Sequence, residues 1–164
     1  MRRPLALLAV LLPLAARSQE GAMGGAPTGL TASGSLGAGG ELGLPQGEKA
    51  GIFELEAAIG YEFAEIGLRP ELALAFGLAP DTNFAIRPGV RFDLPGLPIQ
   101  LRASFDASNS RGDGLRWRWL LLGAAAEVRL TGLFGLFGEV DTGVKLNSQA
   151  GLPLIFRAGA SFRF

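Results

Sequence analysis

Apolar and polar residues alternate along most of this chain, and the alternation is clearest at its C-terminal end. From Leu152 to Phe164 the even-numbered residues are all apolar, and from Arg157 onward the odd-numbered residues are polar or glycine. A period of two residues is typical of a β-strand with one apolar and one polar face. Similar runs, separated by turn-forming residues, predict eight strands. The predicted strands span residues 30–42, 52–63, 65–76, 83–93, 98–107, 115–130, 134–146 and 152–164.

Charged residues within these runs follow the same period. They fall on one face of each predicted strand, while the opposite face carries large apolar side chains such as Leu72, Leu74 and Phe76. An arginine that faces lipid near the middle of a membrane costs about 2–4 kcal/mol, so this separation has a physical cause. The predicted polar face holds Glu41, Glu54, Glu56, Glu62, Glu65, Arg69, Glu71, Arg87, Arg91, Asp93, Arg102, Asp106, Arg116, Arg118, Glu127, Arg129, Glu139, Asp141, Lys145, Arg157 and Arg163.

Two observations place this polar face inside a barrel. Aromatic residues cluster near the strand ends on the apolar face, as expected of girdles at two membrane interfaces. These aromatic residues are Phe53, Tyr61, Phe76, Phe84, Phe92, Phe105, Trp117, Trp119, Phe162 and Phe164. The interior of an eight-stranded barrel is only just wide enough for side chains, and small residues on the polar face leave room for long charged ones. We therefore predict an interior charge network of Glu54, Glu56, Arg69, Glu71, Arg87, Arg91, Arg102, Arg116, Arg118, Glu139, Asp141 and Arg157.

The sixth predicted strand breaks the alternation. Trp117, Trp119 and Leu121 share one parity, whereas Val128 and Leu130 share the other. An extra residue in one strand shifts the phase of all the residues that follow it. We therefore predict a β-bulge or an apolar patch of the interior between residues 120 and 126.

The N-terminal region is predicted to be a secretory signal peptide, residues 1–18. Arg2 and Arg3 form its basic start, and an apolar run follows from residue 5 to residue 14. Ala16-Arg17-Ser18 supplies small residues at the positions that a signal peptidase reads, with cleavage before Gln19. The apolar run is too short for a transmembrane anchor. Residues 19–29 are predicted to be a flexible lead-in, and residues 30–164 to be the barrel.

These features together resemble the small eight-stranded bacterial outer-membrane β-barrels, of the kind seen in the OmpA transmembrane domain and OmpX. The resemblance rests on the signal peptide, the eight alternating runs and the aromatic end at Phe164. In that family the closing strand is read by the barrel assembly machinery, which implies this role for Phe156, Phe162 and Phe164. The predicted fold is an all-β, eight-stranded antiparallel up-and-down transmembrane barrel with a charged, filled lumen. Its predicted location is the outer membrane of a Gram-negative bacterium.

The connections between predicted strands also alternate in character. Those after the second, fourth and sixth strands are tight or apolar, and the other four are more polar. Outer-membrane barrels have short periplasmic turns and longer outer loops, so we expect the polar connections at the outer end. One of them contains Arg111-Gly112-Asp113, the tripeptide that integrins recognise. Glycine and aspartate beside Ser108 and Asn109 are also ordinary turn residues, and we favour that interpretation.

The composition excludes several kinds of chemistry. The chain has no histidine and no cysteine, which removes the commonest general base, disulfides and thiolate metal sites. Without residues 1–18 its formal charge is near −3, which gives no basic surface for nucleic acid. Carboxylate pairs such as Glu54 with Glu56, or Glu139 with Asp141, share a face, but nearby arginines favour ion pairing over acid–base catalysis. We expect no enzymatic activity, cofactor or metal ion.

The favoured function is that of a non-enzymatic integral outer-membrane protein with a structural or surface-interaction role. Its expected partners are outer-membrane lipid and the assembly machinery, and we expect a monomer. Two alternatives are a narrow, porin-like channel for ions or small solutes, and a secreted soluble β-barrel that binds an apolar ligand inside.

Overall fold

The computed structural model describes residues 28–44, 50–80, 82–109 and 114–164. The predicted signal peptide, residues 19–27 of the predicted lead-in and the tripeptide at 111–113 lie outside the described residues. The strands are β1 (Gly29–Leu42), β2 (Ala50–Glu62), β3 (Leu68–Ala79), β4 (Asn83–Asp93), β5 (Ile99–Ser108), β6 (Arg116–Arg129), β7 (Phe134–Lys145) and β8 (Leu152–Arg163). The described residues contain no helix with the length and hydropathy needed to cross a membrane.

The eight strands form a closed antiparallel barrel. Each strand pairs with the next one along the chain, and β1 closes the sheet by pairing with β8 over residues 31–42 and 152–163. Closure pairs both edges of each of the eight described strands. The predicted fold class is therefore confirmed.

The two ends of the barrel differ in their connections. Residues 63–67, 94–98 and 130–133 join strands at one end, which we call the turn end and which also holds the start of β1 and the end of β8. Residues 43–49, 80–82, 109–115 and 146–151 join strands at the opposite end, which we call the loop end. The division follows the predicted alternation of tight and polar connections.

Most predicted strand boundaries lie within two residues of the observed ones, but β3 begins and ends three residues later than predicted. The chain between β2 and β3 turns through backbone hydrogen bonds from Ile66 to Phe63 and from Phe63 to Leu68, with Gly67 at a φ of +63°. A positive φ is readily adopted by glycine. Glu65 therefore lies exposed in a turn, and its predicted place on the polar strand face is wrong.

The barrel buries its charged face and exposes its apolar face. In β3, Ala73 and Ala75 are 0% and 1% exposed, whereas Leu72, Leu74 and Phe76 are 37–49% exposed. The buried charged residues of the described chain come from strands all around the barrel. They are Glu41, Glu54, Glu56, Glu62, Arg69, Glu71, Arg87, Arg91, Arg102, Asp106, Glu127, Glu139, Asp141, Arg157 and Arg163.

The irregularity in β6 lies just before the predicted range. Asp106 of β5 is opposite Trp119 and Ala107 is opposite Trp117, so Arg118 is an additional residue that shifts the phase of the strand. Trp117 consequently faces outward at 54% exposure, while Trp119 and Leu121 are buried at 4% and 0%. The prediction of Trp119 in an outer aromatic girdle is therefore wrong. The alternative of an apolar interior patch between residues 120 and 126 holds, because Leu121 lies there.

Candidate functional site

The centre of the barrel interior is organised around Arg87 of β4. Its guanidinium donates to both carboxylate oxygens of Glu54 at 2.7 and 2.9 Å. It also donates to Glu56 Oε2 and, through Nε, to Asp106 Oδ2, each at 2.7 Å. The two glutamates reach the same arginine because residues two apart in β2 share a face. One buried cation therefore joins β2, β4 and β5.

Three further arginines extend these contacts. Arg102 approaches Glu56 and Glu71 at 2.8 Å and Glu139 at 3.0 Å. Arg157 approaches Glu54 at 2.7 Å and Glu139 at 3.3 Å, and it also contacts Asp141. Arg91 pairs with Glu71 at 2.8 Å and with Glu139. We call the following residues the central network: Glu54, Glu56, Glu71, Arg87, Arg91, Arg102, Asp106, Glu139, Asp141 and Arg157.

A second cluster lies toward the turn end. Arg163 donates to both oxygens of Glu127 at 2.7 and 2.9 Å and to Glu62 at 2.9 Å. Glu127 also accepts hydrogen bonds from Ser161 at 2.6 Å and from Gln100 at 2.7 Å. Burial of a charge is tolerated where partners of this kind satisfy it. Hydrogen-bonded polar side chains therefore fill the barrel interior near the turn end as well as at its centre.

A third cluster lies toward the loop end. Glu41 pairs with Arg118 and accepts a hydrogen bond from the backbone N–H of Gly151 at 2.6 Å. The Arg118 guanidinium stacks over the Trp119 ring, 4.3 Å from its centroid, and Trp119 donates to the carbonyl of Gly151 at 2.9 Å. Trp119 also packs with Leu121. These contacts fix the start of β8 against β1 and β6.

Glycine makes room for the central network at two places. A Cβ at residue 37 would lie 3.1 Å from Glu54 Cγ and 3.3 Å from Arg157 Cγ. A Cβ at residue 123 would lie 3.4 Å from Arg102 Cβ and would clash with Asp141. Each glycine is the register partner of two of these charged residues, so the charged side chains have room because the position between them on the neighbouring strand has no side chain.

The structure places the sequence-predicted charge network at three levels of the interior. Most of its members lie in the central network. Arg69 lies toward the turn end, 3.7 Å from Glu62, and Arg118 lies toward the loop end. Arg116 differs from the prediction: it begins β6 at the rim of the barrel, where its side chain is exposed. Lys145, the last residue of β7, is exposed for the same reason.

Some interior residues were outside the predicted network although their parity matches it. Asp106, Glu127 and Arg163 carry several of the contacts described above, and Gln100 is a neutral member. Parity identifies their face. Parity does not predict how many ion-pair or hydrogen-bond partners each residue has, because that number depends on distances across the barrel.

The aromatic residues of the closing strand point outward. Phe156, Phe162 and Phe164 are 58%, 43% and 72% exposed, and the Phe162 ring lies 5.2 Å from that of Phe134. These side chains are accessible at the outer surface of β8 and at its end. Their predicted role as an assembly signal remains a prediction.

The chemistry of the interior is that of ion pairing. Every carboxylate of the central network lies within ion-pair distance of at least one arginine. Among the described residues, no three acidic, histidine or cysteine side chains are placed to hold a metal ion.

No protein-family model matches the chain, and no curated protein matches it significantly. Solved structures do match. Neisserial surface protein A has a TM-score of 0.59 at 15% identity, over 84% of this chain and 98% of that one. Ail, the attachment invasion locus protein of Yersinia pestis, has a TM-score of 0.54 at 13% identity, over 84% and 100%. The N-terminal β-barrel domain of Pseudomonas aeruginosa OprF has a TM-score of 0.53 at 14% identity, over 82% and 97%.

These neighbours are small eight-stranded outer-membrane β-barrels, so the resemblance inferred from the alternating pattern is confirmed at the level of the fold. At such low identities the similarity concerns the fold and not the activity.

Proposed function

We propose that this chain is a non-enzymatic integral outer-membrane β-barrel with a structural or surface-interaction role. The observation that carries the proposal is the inverted distribution of polarity. Among the described residues, 33 large hydrophobic side chains are exposed on the outside, while charged side chains fill the inside. Soluble monomers rarely expose apolar patches larger than a few hundred Å². A lipid environment accounts for both faces at once.

The proposed role is structural rather than conductive because the central network spans the interior. Arg87, Arg102 and Arg157 each contact carboxylates from at least two other strands. A solute crossing the barrel would have to separate these buried pairs, and breaking such a pair by removing one partner typically costs about 3–5 kcal/mol. Planar-bilayer recordings of the refolded protein test this point. Stable, reproducible conductance steps would favour the porin-like alternative.

The soluble alternative requires an apolar cavity inside the barrel. The described interior instead places arginine and glutamate side chains along most of its length. An apolar ligand in the centre of the barrel would have to separate these paired charges and leave them buried without partners. Cell fractionation separates the two proposals, because recovery of folded protein in the soluble periplasm would contradict membrane integration.

We further propose the location and partners implied by the family resemblance. The chain is exported by residues 1–18, recognised by the barrel assembly machinery through Phe156, Phe162 and Phe164, and inserted as a monomer into the outer membrane. The loop end faces the cell exterior. The absence of histidine from the sequence and the pairing of the interior carboxylates support a non-enzymatic role.

Electrophoretic migration with and without boiling tests the proposed membrane barrel directly. The protein without residues 1–18 is refolded in detergent and run on a gel as two halves of one sample. We expect the unboiled half to migrate differently from the boiled half, because a closed β-barrel stays folded in detergent until heated. A sample kept unfolded in urea is the unfolded control. Identical migration of all three samples would contradict the proposal.

A further inference from the structure

The three connections at the turn end are apolar. Residues 63–67, 94–98 and 130–133 contain a single charged residue, Glu65. The connections at the loop end contain five charged residues, which are Glu48, Lys49, Asp81, Arg111 and Asp113. Large apolar side chains of the turns are 43–62% exposed, and they are Phe63, Ile66, Leu97, Leu130 and Leu133. The turn end therefore presents apolar surface where a turn in water ordinarily presents polar side chains.

This apolar surface is continuous with the outer face of the strands. The Phe63 ring packs edge-on against the ring of Tyr61, an outward residue near the end of β2, with 5.1 Å between the centroids. Leu30 near the start of β1 and Phe164 just after β8 are 62% and 72% exposed at the same end of the barrel. The medium that surrounds the outer face at this end therefore also reaches the turns.

Backbone hydrogen bonds close the first two turns on themselves. In the first turn, the Phe63 N–H donates to the carbonyl of Leu68 at 2.8 Å, and the Ile66 N–H donates to that of Phe63 at 3.1 Å. In the second turn, the Leu97 N–H donates to the carbonyl of Leu94 at 3.1 Å. Lipid hydrocarbon offers no water to a polar group that lacks a partner. Turns with internal hydrogen bonds are therefore suited to contact with it.

The third turn pairs its polar groups in a similar way. The N–H groups of Leu130 and Thr131 both donate to the carbonyl of Phe134, at 3.0 and 3.1 Å. The Thr131 hydroxyl oxygen accepts hydrogen bonds from the N–H groups of Leu133 and Phe134 at 3.2 and 3.0 Å. The carbonyl of Leu133 accepts a hydrogen bond from the Arg163 N–H at 2.9 Å. The hydroxyl group of this turn thus serves its backbone, and Leu130 and Leu133 form its exposed apolar surface.

Two charged residues limit how deep the turns can lie in a membrane. Asp93 and Arg129 end β4 and β6 beside two of the turns, and their side chains are 33% and 29% exposed. Their carboxylate and guanidinium groups are 3.9 Å apart. Charges are costly in hydrocarbon, so both groups must keep contact with water or with lipid headgroups. The turns can therefore reach the boundary between headgroups and acyl chains, but not the centre of the membrane.

We propose that the turn end is a lipid-binding rim, whose three turns lie at the boundary between the headgroups and the acyl chains of the adjacent leaflet. The apolar faces of amphipathic segments lie at the same boundary, buried by about 5–10 Å. The loop end, where polar residues such as Ser148 are exposed, faces water instead. This inference rests on the proposed membrane barrel and adds the position of the barrel along the membrane normal.

Single-cysteine variants test the depth of the turns, because the chain contains no cysteine of its own. Leu97→Cys and Leu133→Cys place a nitrobenzoxadiazole label on two turns. Val140→Cys, in the middle of the outer face, is the lipid reference, and Ser148→Cys is the water reference. The protein without residues 1–18 is refolded into phosphatidylcholine vesicles, and heat-dependent gel migration shows that each variant is folded.

Two quenchers then locate each label. Iodide, supplied on both sides of the vesicles, quenches labels that lie in water. Phosphatidylcholine with a nitroxide near the top of its acyl chain quenches labels that lie at the proposed boundary. We expect iodide to quench the labels at residues 97 and 133 several-fold less than the label at residue 148. We expect the lipid nitroxide to quench them several-fold more.

The outcomes separate this inference from the membrane barrel on which it rests. Equal iodide quenching at residues 97, 133 and 148 would overturn the lipid-binding rim, while a shielded label at residue 140 would still support the membrane barrel. Strong iodide quenching at residue 140 as well would contradict the membrane barrel itself. Labels on the turns that are shielded from iodide, but that the lipid nitroxide does not quench, would indicate that protein such as a second copy covers the turns. That result would also overturn the proposal.

Discussion

The outward face of β7 offers a direct test of whether the barrel is surrounded by lipid. Val140 lies in the middle of the strand, opposite Ala124 of β6 and Phe156 of β8, and Val144 lies next to its loop end. Both valines point outward, with exposures of 39% and 57%. The substitutions Val140→Arg and Val144→Arg therefore make the same chemical change on the same strand and differ in depth.

The expected costs follow from the strand geometry. Four residues of strand rise about 13 Å, which is about 10 Å along the membrane normal at a tilt of about 45°. The apolar band of such barrels is about 25 Å tall, so Val144 lies near its edge when Val140 lies near its middle. An outward arginine costs about 2–4 kcal/mol at the midplane and about 0–1 kcal/mol near the interface. We expect the two variants to differ by about 2–3 kcal/mol, a factor of roughly 30–140 in the unfolding equilibrium.

The measurement is equilibrium urea unfolding of both variants in phospholipid vesicles, followed by tryptophan fluorescence. The comparison removes the strand-propensity difference between valine and arginine, because both variants carry it. A soluble barrel would tolerate either arginine in water, since both positions are solvent-exposed. Equal free energies of unfolding for the two variants would refute the assignment of this face to lipid.

Three further predictions concern the interior, and unfolding in vesicles measures each of them. Arg87→Met should destabilise the barrel by about 3–5 kcal/mol, because it leaves buried carboxylates without the cation that they share. Its control, Arg116→Met at the exposed rim, should change the free energy of unfolding by less than about 0.5 kcal/mol. Similar losses in the two variants would contradict the placement of these arginines. Gly159→Ala should cost about 1–3 kcal/mol, since its Cβ would lie 2.7 Å from Ser35 Cβ and 2.8 Å from Phe137 Cζ. Gly34→Ala, whose Cβ would meet nothing within 4 Å, is its neutral control. Trp119→Phe should destabilise the barrel by about 0.5–1.5 kcal/mol, because the hydrogen bond to Gly151 is lost. Trp117→Phe on the outer face should leave the stability nearly unchanged. A larger loss of stability for Trp117→Phe than for Trp119→Phe would contradict the bulge at Arg118.

The fold was predictable from the sequence because one physical rule acts on every strand. A side chain that faces lipid must be apolar, and the residues before and after it in the strand face the opposite side. The resulting period of two residues is as clear at Leu72, Leu74 and Phe76 as it is in β8. The errors in the predicted strands occurred where that rule does not apply. Glu65 continues the alternation into a turn, and only Gly67, the residue before β3, marks that turn in the sequence.

The bulge in β6 was misplaced because tryptophan fits either face. Trp117 and Trp119 are two residues apart, and nothing in their chemistry indicates that one points outward and the other inward. The partners of Arg87 were not predictable for a different reason. Glu54 and Glu56 lie two strands away from it in β2, so the contact depends on the width of the closed barrel and on the length of the arginine side chain.

The buried ion pairs and the apolar outer face together specify the register of the closing seam. Glu139 of β7 is directly opposite Arg157 of β8. A slip of β8 by one residue would turn Arg157 and Arg163 toward lipid and Phe156 and Phe162 toward the charged interior. Each misplaced arginine would cost up to about 2–4 kcal/mol, depending on its depth. On the other side of the seam, the part of β1 between residues 31 and 40 has small side chains apart from Leu36 and carries no charge. The register of β1 against β8 therefore depends on two features. The first is the orientation of the β8 side chains, with arginines inward and phenylalanines outward. The second is Glu41, whose carboxylate accepts a hydrogen bond from the Gly151 N–H at the loop end.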